Sequence, residues 1–466
     1  MCMLLFQHVG KWQKNVSHGK QIAAYILCAV LIAGCGIGTH ALSKLDQTVE
    51  AISQPNTIST VFGVYVAADD PAKTIEDTAE HIFGMTDSVD TEHTLQAAEE
   101  IQMLSGCATV RNFESINALV DALYAGEINA VILNQSYVEM LAEVDDYADF
   151  TARTKLLYEH SITEEIEATE PPAREEGQAD DSTEPEETEP VILDVDPATT
   201  PFVVYLSGSD TRSRKLVKSR SDVNILAAVN PVTKQILLVN TPRDYYVSNP
   251  AGDGEMDKLT HCALYGPENS MGALSDLYDQ PVHYYAQINF TGLETLVDAI
   301  GGITVWSDVS FYAAEGGGVN VAYGTNYFNG RQALAFARER HNLASGDNAR
   351  GKNQMKVIAA IVNKLTAGTL IKNYSSILDS LKGMFVTSLS SDEISDLIKM
   401  QLDDMASWEI LSYAVTGTNG SDTNYSMPGL YSYVMYPDED MVSLASDLIG
   451  RILDGQTISE DDISVG

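Results

Sequence analysis

A chain of 466 residues with 44% hydrophobic content is long enough for two or three globular domains and too apolar to be a disordered one. Its formal net charge of −38 argues against a nucleic-acid partner, because duplex binding needs lysines and arginines to neutralise phosphates, and suits a polyanionic or salty exterior. The five cysteines (Cys2, Cys28, Cys35, Cys107, Cys262) lack metal-site spacing; Cys107 and Cys262 are expected as lone buried thiols, with a bridge between them as the alternative.

Residues Ile22 to Leu42 are uncharged and mostly apolar, about the 20 residues that a helix needs to cross a bilayer. Lys11, Lys14 and Lys20 precede them. The positive-inside rule then predicts a cytoplasmic tail over 1–20, a transmembrane helix over 21–43, and export of everything after Lys44. Ile32-Ala33-Gly34-Cys35 also reads as a lipoprotein processing box, which would put a lipid on Cys35; the apolar residues beyond Cys35 favour the uncleaved anchor. Both readings place the bulk of the chain outside the cell membrane and tethered to it.

Residues 44–160 read as a smaller extracytoplasmic α/β accessory domain. A strand at Val61–Val66 precedes helical stretches near Thr74–His81 and Thr91–Leu104 and a strand at Ala108–Arg111. The helix Ser115–Ala125 carries Ile116, Leu119, Val120 and Leu123 at i, i+3, i+4 and i+7; Gly126 ends it, and Ile128–Leu133 is the next strand. Alternating strands and helices predict a small, mainly parallel sheet. The run Asn117–Asn134 resembles a lobe of solute-binding proteins, and a purely structural role is the alternative. Residues 161–200 are rich in Glu, Asp, Pro and Thr and read as an acidic, disordered, charge-extended linker.

Residues 201–455 read as the catalytic domain, followed by a tail over 456–466. A strand from Phe202 to Ser207 runs into Asp210 and a basic loop with Arg212, Arg214, Lys215, Lys218 and Arg220; Asp222 opens the next strand. Val223–Val229 and Gln235–Asn240 flank Asn230-Pro231-Val232-Thr233-Lys234, which predicts a tight antiparallel connection and hence a mixed sheet. Thr291 and Glu294 form a capping box for a helix with Leu293, Leu296, Val297 and Ile300 on one face, and Gly301-Gly302 stops it. A strand Ile303–Trp306, a Gly316-Gly317-Gly318 loop and a helix from near Arg331 to near Arg338 follow. The rest, including a loop near Gly417–Ser421, shows no chemistry.

Arginine forks suit phosphate oxygens and hard carboxylates suit Mg²⁺, so the arginines and aspartates between Asp210 and Gln354 compose what a pyrophosphate-metal site requires. Asp210 follows a strand, where α/β sheets place ligand groups, although an Asx turn also explains it. Asp222 would serve the site or pair with Arg220 or Arg212, and Arg243 with Asp244 would serve it or form an ion pair in a turn. Arg338 and Arg340 share a side only if the backbone between them is extended. Asp347 fits an N-cap of a long helix whose first turns carry Arg350 and Gln354 on one face.

At these residues the domain resembles the LytR-CpsA-Psr family of Gram-positive cell-envelope enzymes. The matching pieces, in order, are Leu206-Ser207-Gly208-Ser209-Asp210-Thr211-Arg212, Arg220-Ser221-Asp222, Asn230-Pro231, Thr241-Pro242-Arg243-Asp244, Lys258-Leu259-Thr260-His261, Val297–Gly302, Gly330–Arg340 and Asp347–Gln354. The resemblance implies a central mixed sheet between helices (an α-β-α sandwich) that binds a polyprenyl-pyrophosphate-linked glycan. It implies transfer of the glycan phosphate to a peptidoglycan hydroxyl in teichoic acid or capsule assembly. Asp210 and Asp222 would hold Mg²⁺ (or Mn²⁺); Arg212, Arg220, Arg243, Arg338, Arg340, Arg350 and Gln354 would bind the pyrophosphate; Asp347 and Asp244 are the candidate bases. Asn353 stands where many members carry a second basic residue, with Lys352 as the candidate replacement. A non-catalytic sensor of lipid-linked glycan and a hydrolase of the same pyrophosphate are the alternative functions.

Overall fold

The computed structural model describes residues 56–86, 90–166, 195–209, 215–314, 318–343, 346–366, 377 and 379–464. The expected cytoplasmic tail and membrane anchor, most of the expected linker, and Asp210 and Arg212 lie outside them. No helix among the described residues is long and apolar enough to cross a membrane.

The N-terminal unit comprises β1 (Asn56–Ala67), β2 (Ile82–Met85), α1 (Thr91–Ser105), β3 (Thr109–Asn112), α2 (Ile116–Tyr124), β4 (Ala130–Asn134), α3 (Ser136–Leu141) and β5 (Thr154–Ile166). Ser115 caps α2, its hydroxyl accepting from the Ala118 N–H, and Ile116, Leu119, Val120 and Leu123 are all buried as the helical period requires. The strand order is β3-β2-β4-β1-β5. β2 runs parallel to β3 and β4, but β1 runs antiparallel to β4 and β5, so the sheet is mixed rather than mainly parallel. β5 escapes a reading by hydrophobic pattern because it lies at the sheet's edge and carries charged residues along its length, as edge strands commonly do. It continues through Ile166, so the first residues of the expected linker belong to the sheet. The expected helix at Thr74–His81 is a single 3₁₀ turn, Ile75–Thr78.

The C-terminal unit comprises β6 (Phe202–Ser209), β7 (Leu216–Val217), β8 (Ser221–Asn230), β9 (Gln235–Asn240), β10 (Tyr246–Ser248), β11 (Met256–Lys258), α4 (Pro267–Tyr278), β12 (Tyr284–Asn289) and α5 (Phe290–Ala299). Then come β13 (Ile303–Ser307), β14 (Phe311–Ala313), β15 (Val319–Val321), β16 (Gly324–Phe328), α6 (Gly330–Arg338) and α7 (Gly346–Lys364). β17 (Phe385–Thr387), α8 (Ser391–Asp404), β18 (Glu409–Ala414), β19 (Gly417–Asn424), β20 (Met427–Pro437) and α9 (Glu439–Leu453) complete it.

The central sheet has the order β17-β12-β6-β8-β9-β18. One face buries Tyr205, Leu226, Leu237 and Val239 against Leu274 of α4 and Leu448, Ile449 and Ile452 of α9; the other buries Ile225 and Leu238 against Met355 of α7. This is a three-layer α-β-α sandwich with a mixed sheet. The expected β8–β9 hairpin is present, with Asn230 opposite Gln235. α5 is capped two residues earlier than Thr291: the Asn289 side chain accepts from the Gly292 N–H. The Gly417–Ser421 stretch is the first half of β19, not a loop, because β20 supplies its backbone partners. The expected C-terminal tail joins the core, where Ile458 is buried and its N–H and C=O both bond the Gln235 amide.

The pairings place one end of the sheet under the site. Ser209 lies opposite Ser221 and Asn289, and Asn240 lies opposite Ile225 and Ala414. The carboxyl ends of β6, β9, β12 and β18 and the start of β8 therefore converge, which is where open α/β sheets hold ligands.

The two units are joined by the sheet itself. β4 covers Phe62 to Val66 of β1 and leaves the edge at Ile58 and Ser59 open; β7 fills it in parallel, and the Lys218 N–H donates to Ser59 O at 2.8 Å. Apolar contact reinforces this, since Leu264 and Met427 of the C-terminal unit are buried with Leu119, Tyr137 and Leu141.

A cationic site at the carboxyl end of the sheet

Asp222 sits in the first residues of β8, and the loop after β9 carries Arg243 and Asp244 towards it. That loop is pinned by its own backbone: Tyr245 N–H donates to Pro242 O, Thr260 N–H to Arg243 O and Met435 N–H to Asp244 O. Arg243 Nη1 donates to Asp222 Oδ1 at 2.8 Å, and Arg243 Nε lies 3.4 Å from Asp244 Oδ2. Burial pushes the Asp222 carboxyl up, but Arg243, Arg350 and Arg220 outweigh it and hold the group below the usual carboxylate range. Asp222 is thus a carboxylate under the influence of three guanidinium groups, and among the described residues its direct partner is Arg243 rather than Arg220.

α7 brings Arg350 and Gln354 to the same end, and both are buried. The approach requires Gly351: a Cβ there would stand 2.3 Å from Asn240 Nδ2 at the end of β9. Asp347 lies inside the first turn of α7, which begins at Gly346, and not at an N-cap. Asn353 points inward, its Nδ2 donating to Phe336 O at 3.3 Å, whereas Lys352 is exposed. The departure from a basic residue at Asn353 therefore serves the α6–α7 contact.

α6 ends at Arg338 and Glu339 is extended, as two arginines on one side demand. Glu339 is buried and accepts from the Ala314 and Asn342 N–H groups, which fixes that bend. Arg338 lies over the Phe290 ring, 4.3 Å from its centroid, just beyond the end of β12; Arg340 is exposed, with its Nε towards His341.

Two participants carry no assignment from sequence reasoning. Lys258 is 1% exposed, with Nζ 3.7 Å from Asp244 Oδ1. Its backbone is held by buried Asp257, which accepts from the Lys258 N–H at 2.8 Å, from His261 Nδ1 at 2.7 Å and from Ser426 Oγ at 2.5 Å. Lys258 stands in one of the motifs quoted above, so its signal was present without a role. The other is Glu143 of the N-terminal unit, whose carboxylate pairs with Lys258 at 2.7 Å and Arg220 at 2.5 Å; nothing in an acidic chain distinguishes it.

Asp222 is a described hard-oxygen donor at this site, and the described residues contain no group of three His, Cys, Asp or Glu suited to a metal ion. Mg²⁺ is commonly bound through one or two carboxylates together with substrate phosphates, and Asp222 would be one such carboxylate. Cys107 and Cys262 are free and buried, as expected.

The class of protein that fold and site define is a mixed α-β-α domain that gathers arginines, a buried lysine and carboxylates at the carboxyl end of its sheet. The chain belongs to the LytR-CpsA-Psr family, whose sequence model (LytR_cpsA_psr family) matches residues 169–443. It is similar to the polyisoprenyl-teichoic acid–peptidoglycan teichoic acid transferase TagU of Enterococcus faecalis, 37% identical over 44% of this chain and 65% of the relative. It is also similar to the TagU of Bacillus mycoides, 32% identical over 43% of this chain and 64% of that one. The chain thus spans just under two thirds of the length of each. Among solved structures, TagT bound to LI-WTA is 26% identical, covers 56% of this chain and 94% of its own, and superposes with a TM-score of 0.45.

Proposed function

We propose that this chain is an exported, membrane-anchored phosphotransferase that moves a glycopolymer phosphate from a polyprenyl-pyrophosphate carrier to a peptidoglycan hydroxyl. The observation that carries the reading is the convergence of Arg243, Arg350 and Arg220 on Asp222, with buried Lys258 beside Asp244, at the carboxyl end of the sheet. Family membership and the printed activity of the TagU relatives support it.

In-line phosphoryl transfer needs positioning and charge neutralisation more than covalent chemistry. Arg220, Arg243, Arg350 and Lys258 would hold the pyrophosphate oxygens, with Arg338, Arg340, Gln354 and Arg212 extending the cradle. The acceptor oxygen bonds to the glycan-linked phosphorus, the bond from that phosphorus to the bridging oxygen breaks, and polyprenyl phosphate leaves. The acceptor proton would pass to one of the two candidate bases, Asp244 or Asp347. Asp222, with Asp210, would hold Mg²⁺, which when bound neutralises pyrophosphate charge.

The test is the full chain with a polyprenyl-pyrophosphate oligosaccharide, Mg²⁺ and peptidoglycan fragments, scoring polyprenyl phosphate and linked glycan. Asp222→Ala and Arg243→Ala are each expected to lower linked product by roughly 10²–10³-fold, the loss typical for a group that stabilises transition-state charge. Release without linkage would identify a hydrolase. Retained binding with no turnover in the unmodified chain would identify a sensor.

A further inference from the structure

Glu143 follows α3 in the N-terminal unit, yet its carboxylate lies inside the cationic site of the C-terminal unit. Oε1 accepts from Arg220 Nη1 at 2.5 Å and stands 3.7 Å from Arg243 Nη2, while Oε2 accepts from Lys258 Nζ at 2.7 Å. Glu139, one turn earlier, accepts from Arg220 Nη2 at 2.6 Å. One planar anion thus spans three cations brought by three separate segments, which is the arrangement these groups would make around phosphate oxygens.

We propose that Glu143 is an internal stand-in for a substrate phosphate, so that the docked N-terminal unit closes the cationic site and must withdraw before pyrophosphate binds. The inference rests on reading the site as a pyrophosphate site. An incidental surface ion pair does not account for the geometry, since Lys258 is almost wholly buried and exposed pairs contribute little. The polar part of the latch that would open is short, and it lies beside the apolar contact of Leu264 and Met427 with the N-terminal unit. β7 gives β1 a ladder of two residue pairs, Ser136 Oγ donates to Lys218 O at 3.1 Å, and Lys218 Nζ lies 2.5 Å from Glu164 Oε1. β7, Lys218 and Arg220 belong to one continuous stretch, so the segment that docks the N-terminal unit also carries a cation of the site. Pyrophosphate binding and undocking would therefore be coupled.

The test is titration of the folded full chain with inorganic pyrophosphate, comparing the unmodified protein with Glu143→Gln and Arg243→Ala. Closure lowers apparent affinity by the fraction of open molecules, so Glu143→Gln is expected to bind roughly tenfold tighter or more. In the unmodified chain, saturating pyrophosphate is expected to speed amide exchange in β7 and α3. Equal affinity of the unmodified chain and Glu143→Gln, with binding lost in Arg243→Ala, would overturn the closure while leaving the pyrophosphate site standing. Absence of pyrophosphate binding in every folded protein would overturn both. If Glu143→Gln does not fold, the exchange measurement decides: faster exchange supports the closure, and unchanged or slower exchange overturns it.

Discussion

His283 is buried beside β6, where its Nδ1 accepts the Val203 N–H at 3.0 Å and its backbone N–H donates back to Val203 O. Desolvation pushes the imidazole from about 6.5 down to about 4. Below pH 6.5 the unfolded chain therefore takes up a proton that the folded chain refuses, and stability falls as pH drops from 6.5 towards 4. His283→Asn keeps an acceptor for Val203 without a titrating group, so its urea midpoint should fall less across that window than that of the unmodified chain. Parallel midpoint curves would sink the assignment. The same contrast between residue type and surroundings applies at the site. Asp222, Arg243 and Asp244 were legible as chemistry-bearing residues, but the Arg243–Asp222 pairing was not, because it depends on the distance between the start of β8 and the loop after β9.

At the scale of elements, α7 is held against the sheet by the absence of a side chain. Alanine at Gly351 would gain about 1 kcal/mol of helix propensity, yet its Cβ would meet Asn240 Nδ2, Cγ and Oδ1, all within 2.8 Å. Asn240 is itself buried, so the helix must move and carry Arg350 and Gln354 with it. Gly351→Ala is expected to destabilise the fold by ~1–3 kcal/mol, as overpacking does, and to weaken pyrophosphate binding. Denaturant unfolding and the titration described above check both, and a more stable variant would refute the steric account. The helix α2, the β8–β9 hairpin and the end of α6 were readable because periodicity, caps and turn residues act within a few residues. β5 and β19 were not, since charged or small polar residues form strands only when a neighbouring strand supplies their backbone partners.

For the whole molecule, the contact between the two units depends on charge. Burial pushes the Glu143 carboxyl up, but Lys258 and Arg220 outweigh it and bring it from about 4.5 to about 2. Glu143 faces Arg220, Arg243 and Lys258, with Glu139, Asp244 and Asp222 around the same cations. Its contribution to docking is present in full above about pH 4.5 and is lost as pH falls towards 2. Amide exchange in β7 should therefore rise between pH 4.5 and 2 by more than the intrinsic pH dependence, and Glu143→Gln should abolish that excess. Persistence of the excess in the variant would assign the loosening to another group.

The amino-acid sequence alone determined the family, the three-layer fold class, and the arginines and aspartates of the motifs. The motifs are written in local order, turn chemistry and residue type, and the three-layer class follows from the family that they resemble. Tertiary structure alone decided which ions pair and what shares the site. Arg220 meets Glu143 across 77 residues and Lys258 meets it across 115, and no local pattern encodes a distance that only the docking of two sheets creates.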